Sequence, residues 1–147
     1  MKSAASASPG RPLLAGRILL YADDYVARWM GAQMGIHIIP PYTAFGVVSA
    51  DGLLTGGVLF NNQSEADIEL SIVAPKRLTR GLCRVIANYA FEQAGCTRMT
   101  ARTRASSLQV RRVIEKVGFR QEGVLRGYYR DGEDAILFGM LRSECRW

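Results

Sequence analysis

The segment Asp67–Arg104 constrains the fold more than any other part of this 147-residue chain. Apolar and polar residues alternate strictly within Asp67–Val73, the pattern of a strand with one buried face and one polar face. Pro75 ends this strand, and an apolar stripe of helical spacing runs through Thr79–Ala94 before a second strand at Arg98–Arg104. Two strands joined by a helix of this length predict a right-handed β-α-β crossover, in which the two strands are parallel.

The elements predicted around this unit define an α+β domain. Outside this unit, the sequence predicts five more strands and two more helices. The strands are Arg17–Tyr21, Tyr42–Ala50, Leu53–Asn61, Phe119–Tyr129 and Ala135–Leu141. One helix follows an Asp23 or Asp24 cap and buries Val26, Trp29, Met30 and Gln33; the other follows a Ser106 or Ser107 cap, buries Val110, Val113, Ile114 and Val117, and ends at Gly118. We therefore expect a mixed, twisted sheet of about seven strands over residues 12–147, after a flexible tail at residues 1–11.

Composition narrows the class of protein. Apolar residues make up 48% of the chain, which is enough for a hydrophobic core without disulfide or metal support. Three cysteines without paired spacing predict no disulfide framework and no zinc cluster, and the single histidine, His37, predicts no metal site. No apolar run approaches the ~18 residues of a membrane span, and residues 1–11 lack the apolar stretch of a signal peptide. These features favour a cytoplasmic protein.

Positive charge is concentrated in the second half of the chain. The net charge is +6, yet residues 76–130 hold eleven Arg and two Lys against three Glu, a net charge of +10. The strand-to-helix passage at the start of this segment brings Lys76, Arg77 and Arg80 beside Gly81. A helix N-terminus offers unpaired N–H groups and a partial positive charge, and a glycine permits close approach. The pattern favours a phosphorylated ligand or a nucleic acid, with a solvated arginine-rich surface as the alternative.

Three stretches resemble the GNAT acetyltransferases. Residues Val113–Gly123, which read VIEKVGFRQEG, are similar to a segment of the branch that acetylates protein N-termini. The stretch Phe138–Trp147 and the passage Arg77–Arg80 resemble uncharacterised GNAT proteins that phages often encode. The resemblance covers roughly residues 17–147 and implies a bacterial, phage-encoded or prophage-encoded protein.

The resemblance implies acetyl-CoA as the cosubstrate. In the family the fourth strand, here Asp67–Val73, splays away from the fifth, and helices cover both faces of the seven-stranded sheet. Pantetheine pairs with the backbone at this splay, and the next turn, Gln/Arg-x-x-Gly-x-Gly/Ala, cradles the pyrophosphate. The residues implied to bind the cofactor are Ile72, Val73, Ala74, Arg77, Leu78, Thr79, Arg80, Gly81, Leu82, Cys83 and Ser107.

The chain departs from the family pattern at four of its marks. Leu78 stands where Gln or Arg is usual, and Cys83 stands at the last Gly/Ala of the turn. Ser107 replaces an asparagine that touches the cofactor, and Ile114 replaces the tyrosine that protonates the leaving thiolate. Since the turn binds largely through backbone groups, cofactor binding is still expected, while the acyl preference and the acid are left open.

Candidate catalytic residues follow from the same resemblance. The amine that attacks the thioester must lose a proton, and Glu69 lies where the family places its general base. Ser71 is nearer the splay and can hydrogen-bond the acceptor, and Tyr128 or Tyr129 can replace the missing acid. The alternative for Glu69 is an exposed carboxylate or the ion-pair partner of an arginine. For Cys83, the alternatives are a thiol activated at the helix start and a small packed residue.

Three functions remain open from the sequence. The first is acetyl transfer from acetyl-CoA to a primary amine on a small molecule or a protein N-terminus. The second is a GNAT-fold phage enzyme that modifies nucleic-acid bases, which the +10 segment favours because coenzyme A carries only about four negative charges by its chemistry. The third is a non-catalytic binding module, which the departures favour. Binding of acetyl-CoA separates the third from the others, and binding of duplex DNA separates the first two; a homodimer is left open.

Overall fold

A computed structural model describes residues 11–147. Eight strands form a single sheet: β1 Leu13–Ala15, β2 Ile18–Leu20, β3 Thr43–Val48, β4 Leu54–Asn61, β5 Asp67–Val73, β6 Arg98–Arg104, β7 Arg120–Leu125 and β8 Ala135–Leu141. Three α-helices accompany it: α1 Asp23–Met34, α2 Arg80–Ala87 and α3 Leu108–Val117. None of the helices described is long and apolar enough to cross a membrane.

The sheet has the order β1-β2-β3-β4-β5-β6-β8-β7. Neighbouring strands are antiparallel except β5 and β6, which are parallel and joined through α2 as predicted. This arrangement confirms the expected α+β class with a mixed sheet. The eighth strand is β1, which the sequence analysis missed; it pairs antiparallel with β2 through a tight turn at Gly16, whose φ is 65°. The predicted tail falls, except for Arg11, outside the described residues.

Apolar side chains cover both faces of the sheet. On one face, α1 packs Val26 and Met30 against Ala44 and Leu59. On the other face, α2 and α3 contribute the larger core, whose buried members include Leu82, Ile86, Ile114 and Val117 against Val58, Phe60, Leu70 and Ile72. The helices therefore lie on both faces, and the alternation within β5 turns Glu69 and Ser71 to the α1 face.

Several predicted boundaries and caps are wrong. Helix α1 has Ala22 at its N-cap and no side-chain cap, so neither Asp23 nor Asp24 caps it, and Gln33 is exposed. Ser107 occupies the N-cap of α3 but makes no capping bond; instead the Ser106 N–H donates to Glu133 Oε2 at 2.9 Å. Strand β7 ends at Leu125, because glycines at 127 and 132, with φ of 60° and 91°, turn the following chain.

Helix α2 begins at a side-chain cap and ends in a widened segment. Its predicted cap is confirmed, because Thr79 Oγ1 accepts a hydrogen bond from the Leu82 N–H at 3.2 Å. After Ala87 the helix widens into a π-helical segment, Asn88–Gln93. There Tyr89 packs edge-on against Phe45 and donates its hydroxyl to Thr43 Oγ1 at 2.8 Å. The widened segment thus fixes the far end of α2 to β3.

A glycine in β4 holds the loop that follows β5. A Cβ built on Gly56 would lie 2.8 Å from the Pro75 backbone nitrogen and 2.9 Å from its ring carbons. The loop therefore packs directly on the β4 backbone. We expect Gly56→Ala to lower the free energy of unfolding by about 1–3 kcal/mol, because overpacking displaces backbone rather than a flexible side chain.

Urea denaturation of Gly56→Ala against Gly123→Ala measures this effect. Gly123 is the matched control, since a Cβ there meets no atom within 4 Å. Equal stability of the two variants would show that the contact between Gly56 and Pro75 does not hold the loop.

Candidate functional site

Strands β5 and β6 separate at their C-terminal ends. Their parallel pairing runs from Asp67–Arg98 to Leu70–Ala101 and then stops, although both strands continue for three residues. The residues beyond the end of this pairing are Ser71–Val73 on β5 and Arg102–Arg104 on β6. They still pair with β4 and β8 on their other edges, but not with each other. The edge of β5 that faces the gap therefore carries backbone N–H and C=O groups without a strand partner, and such groups seek hydrogen bonds from a ligand or water.

The start of α2 lies beyond this gap and is open to a ligand. The first N–H groups of a helix have no partner within it, and here they belong to Arg80 and Gly81. A Cβ built on Gly81 meets only Thr79 Oγ1, at 3.8 Å. Lys76, Arg77 and Arg80 are exposed around this point. The arrangement suits a phosphate group, and phosphate binding at this point stays a prediction.

The predicted cofactor residues differ in burial and in the element on which they lie. Val73 and Ala74 are half-buried beside the gap, and Arg77, Thr79, Arg80 and Gly81 are exposed at the helix start. Ile72, Leu82 and Cys83 are buried, with Leu78 packed against the same core, so they offer a ligand mainly their backbone. Ser107 lies at the start of α3, on a different element.

Cys83 is a packed residue. Its side chain is 1% exposed, and burial raises the pKa of its thiol. A raised pKa disfavours the thiolate, which is the reactive form. The alternative of a thiol activated by the helix start is therefore wrong. Trp147 also serves packing, since its indole Nε1 donates to the Val117 carbonyl at 2.6 Å.

Glu69 lies at the head of the gap in a network of donors. Arg102 Nε donates to Glu69 Oε1 at 2.8 Å, Arg102 NH2 pairs with Oε2, and Asn62 Nδ2 donates to Oε2 at 2.9 Å. The pair joins β5 to β6 one residue from the end of their pairing. The hydrogen bond to the Glu69 carboxylate raises the pKa of Arg102 above its usual range, although partial burial opposes this shift. The arginine partner that the sequence left open as an alternative is thus present.

The candidate acids stack on arginines in the loop after β7. Tyr128, which the sequence placed on a strand, is 46% exposed in this loop, and its ring lies 5.1 Å from the Arg102 guanidinium carbon. The Tyr129 ring lies 4.1 Å from the guanidinium carbon of Arg104. Burial raises the pKa of the Tyr129 hydroxyl. Ile114 is buried in the core and offers no proton. Glu69, Arg102 and Tyr128 therefore form one connected group.

Ion pairs neutralise the arginines of the sheet. Each arginine of β6 faces carboxylates on neighbouring elements: Arg98 pairs with Glu122 and Asp67, Arg102 with Glu69, and Arg104 with Asp131 and Glu133. In contrast, the basic residues around the start of α2, namely Lys76, Arg77, Arg80 and Arg84, form no ion pair within residues 11–147. Four basic residues without an ion pair in the described chain therefore lie next to the candidate phosphate site.

Sequence reasoning missed the residues beside Glu69 on the same face. Asn61 on β4 pairs in register with Glu69, and Tyr42 lies beside Asn61 because Thr43 pairs with Phe60. The Tyr42 hydroxyl donates to Asp24 Oδ1 at 2.6 Å, and burial together with this bond raises its pKa to about 12. The signal available in the sequence was the alternation of β4 and β5, which turns Asn61 and Glu69 to one side.

Asp23, next to Asp24 at the start of α1, has a partly buried carboxyl that makes the free energy of unfolding depend on pH. Burial raises the pKa of its carboxyl, while hydrogen bonds from the backbone, including that of Ala44, oppose the shift. The folded protein therefore holds this proton more tightly than the unfolded chain does. The corresponding stability is present below the unfolded pKa and is lost as the pH rises through the folded pKa.

Known proteins share this fold. No protein-family model matches the chain. An uncharacterised N-acetyltransferase of Methanocaldococcus jannaschii is 32% identical over 99 residues, which span 63% of each chain and thus less than two thirds of that relative's length. The spermidine N-acetyltransferase of Vibrio cholerae, solved in complex with CoA and spermine, matches with a TM-score of 0.57 at 20% identity, over 70% of this chain and 67% of its own.

A probable acetyltransferase of known structure matches with a TM-score of 0.60 at 23% identity, over 80% of this chain and 67% of that one. The order of strands, the crossover through α2 and these likenesses agree. The protein thus has the fold of the GNAT-type N-acetyltransferases.

We expect Asp23→Asn to raise the free energy of unfolding at pH 7, because the amide removes a partly buried charge. The gain should disappear as the pH falls below the carboxyl's ordinary value of 3.8, where the aspartic acid is neutral in both states. Urea denaturation at intervals between pH 3.5 and about 8 measures the difference.

Asp51→Asn serves as a control of opposite sign. The hydrogen bond from the Ser49 hydroxyl lowers the pKa of Asp51, so its replacement should cost stability at neutral pH. A gain for Asp23→Asn that did not depend on pH would contradict the assignment to charge burial.

Proposed function

We propose that this protein transfers an acetyl group from acetyl-CoA to a primary amine. The observation that carries the proposal is the gap between β5 and β6, which opens beside the N-terminus of α2 and its exposed cations. The GNAT-type fold and the relative that is 32% identical and named an N-acetyltransferase support the same activity. The structural neighbour from Vibrio cholerae, whose complex contains CoA and spermine, supports the cosubstrate and the amine class.

The chain's own residues fit a coenzyme A thioester. Acetyl-CoA supplies an activated acetyl group, and its pantetheine arm has the amides that the free edge at Val73 and Ala74 requires. The N–H groups of Arg80 and Gly81 are suited to the pyrophosphate. Lys76, Arg77 and Arg80 supply three positive charges beside a cofactor that carries about four negative charges by its chemistry. Since these contacts use backbone groups, the departures at Leu78 and Cys83 leave them in place.

Glu69 is placed to take the acceptor's proton. As the amine nitrogen bonds to the acetyl carbon, the carbon–sulfur bond breaks, the sulfur leaves as a thiolate, and the nitrogen sheds a proton. A carboxylate offers about four lone-pair sites, of which three on Glu69 already accept hydrogen bonds. The remaining site on Oε1 is free for the amine or a bridging water. The donors fix the orientation of the carboxylate, and Ser71 lies two residues nearer the gap to contact the acceptor.

Tyr128 is the candidate that returns a proton to the thiolate. It lies across Arg102 from Glu69, so the base and the acid are held by one guanidinium. This arrangement would take over the role that Ile114 cannot perform.

The first prediction concerns the cofactor. Gly81→Val should weaken coenzyme A binding by at least about tenfold, equivalent to about 1.4 kcal/mol, because the side chain fills the space that the phosphates approach. The fold should survive, since a Cβ at this position meets no backbone and the φ is not left-handed. Isothermal titration calorimetry with coenzyme A measures the change.

Gly123→Val is the matched control, because it adds the same bulk at an open position on β7, two strands beyond β6. Unchanged affinity in Gly81→Val would place the cofactor elsewhere.

The second prediction concerns the base. Glu69→Gln should lower the transfer rate by about 10²-fold or more near neutral pH, where an alkyl amine is mostly protonated. The effect should shrink at alkaline pH, because the free amine then needs no base, and coenzyme A affinity should stay constant. Steady-state rates from pH 6.5 to about 10 give the profile.

The loss of an ion pair has to be separated from the loss of a base. Glu122→Gln provides that control, because Glu122 binds Arg98 through both carboxylate oxygens on an outer strand. Wild-type activity across the pH range in Glu69→Gln, or an equal loss in Glu122→Gln, would reduce Glu69 to a structural partner of Arg102.

A further inference from the structure

We infer that Asn61 binds the acceptor amine and sets a preference for primary over secondary amines, an inference that rests on the proposed function. Asn61 ends β4 and pairs in register with Glu69 on β5. Directly paired cross-strand residues have their Cβ atoms about 4.5–5.5 Å apart on one face of a sheet. Asn61 is therefore an immediate neighbour of the candidate base.

The amide oxygen of Asn61 has no donor in the folded chain. Oδ1 is buried and has no hydrogen-bond partner within residues 11–147. A buried polar atom without a partner costs stability, and folded proteins keep few of them. No hydrogen bond within the described chain offsets that cost for Asn61 Oδ1. Such atoms call for an explanation, and a ligand that donates a hydrogen bond is one.

The surroundings of Asn61 select the chemistry of that ligand. Glu69 lies on one side, and Tyr42, whose hydroxyl is already donated to Asp24, lies on the other. The guanidinium nearest to this point, that of Arg102, is engaged by Glu69. The free capacity at this place is therefore hydrogen-bond acceptance next to carboxylates. An N–H group on a cationic or neutral amine is the complementary ligand.

The geometry of attack gives Asn61 a defined task. A neutral primary amine that directs its lone pair at the acetyl carbon has two N–H groups left. One of them faces Glu69, which takes the proton, and the other is free to donate to Asn61 Oδ1. The side chain as a whole is only partly buried, and the terminal torsion of asparagine is broad, so the oxygen can turn to a ligand on this face. A secondary amine has one N–H, and it cannot serve both groups.

The test compares Asn61→Leu with Asn61→Asp. Leucine has nearly the shape of asparagine but no acceptor, whereas aspartate keeps the acceptor oxygen. Each variant is assayed with acetyl-CoA and spermidine, butylamine or a peptide with a free N-terminus, whichever the wild type acetylates best. The derivative of that amine in which every primary amine carries one N-methyl group is assayed in parallel. The melting temperature of the ligand-free protein is recorded for each variant.

The expected result has three parts. Asn61→Leu should raise the melting temperature by about 2–6 °C, because it removes an unsatisfied polar group. It should lower kcat/KM for the primary amine by about 10-fold to 100-fold, with little change for the N-methyl amine, so that the preference collapses. Asn61→Asp should keep the preference. Asn88→Leu, an exposed position on the other face of the sheet, should change neither the rate nor the preference.

Other outcomes overturn the inference. A lower melting temperature in Asn61→Leu would mean that Oδ1 has a partner in the free protein. An unchanged ratio of primary to secondary amine would assign Asn61 a structural role only. If the wild type binds coenzyme A but acetylates none of these amines, the proposed function fails and this inference fails with it. An active wild type with an unchanged ratio in Asn61→Leu refutes the inference alone.

Discussion

The parallel pairing of β5 and β6, and its end at Leu70–Ala101, is the constraint on which the candidate site depends. A parallel pair requires a crossover, and the crossover places the N-terminus of α2 beside the strand ends. Because the pairing stops while the strands continue, free backbone groups and a helix start face the same space. The fold thus produces the opening in which we propose that a thioester with a phosphorylated tail binds, and it does so without any particular side chain.

The ion pair between Glu69 and Arg102 connects the two strands at the end where that opening begins. It joins the two strands where their hydrogen bonds end, and the Tyr128 ring covers the guanidinium. One arginine therefore links a strand on each side of the gap to the loop after β7. Charge pairing on a partly exposed surface contributes little to stability by itself, so its main effect here is positional. It holds a carboxylate beside the gap in one orientation.

Much of the fold was predictable because its patterns are local. Both strands of the crossover unit, Asp67–Val73 and Arg98–Arg104, have their predicted bounds, and the Thr79 cap was confirmed.

The failures have physical reasons. Strand β1 has three residues, too few for a period to show, and Asp24 bonds to Tyr42, a partner 18 residues away, instead of capping α1. The π-helical segment depends on packing of Tyr89 against β3, which no local pattern encodes. In the site, Glu69 was predicted from resemblance, whereas Asn61 and the choice of Arg102 among many arginines required the register of three strands.

The neutralised arginines of β6 also shape the electric field around the molecule. Because carboxylates within the sheet and its loops offset these charges, the unpaired cations around the start of α2 contribute more to the field in the surrounding solution than the arginines of β6 do, over a Debye length of about 8–10 Å. The α1 face carries Asp23 and Asp24 at the start of its helix, and neither forms an ion pair within residues 11–147. A polyanion and a cation are therefore drawn from solution toward opposite faces of the same sheet. Their encounter rates would rise together as the ionic strength falls, without either ligand blocking the path of the other.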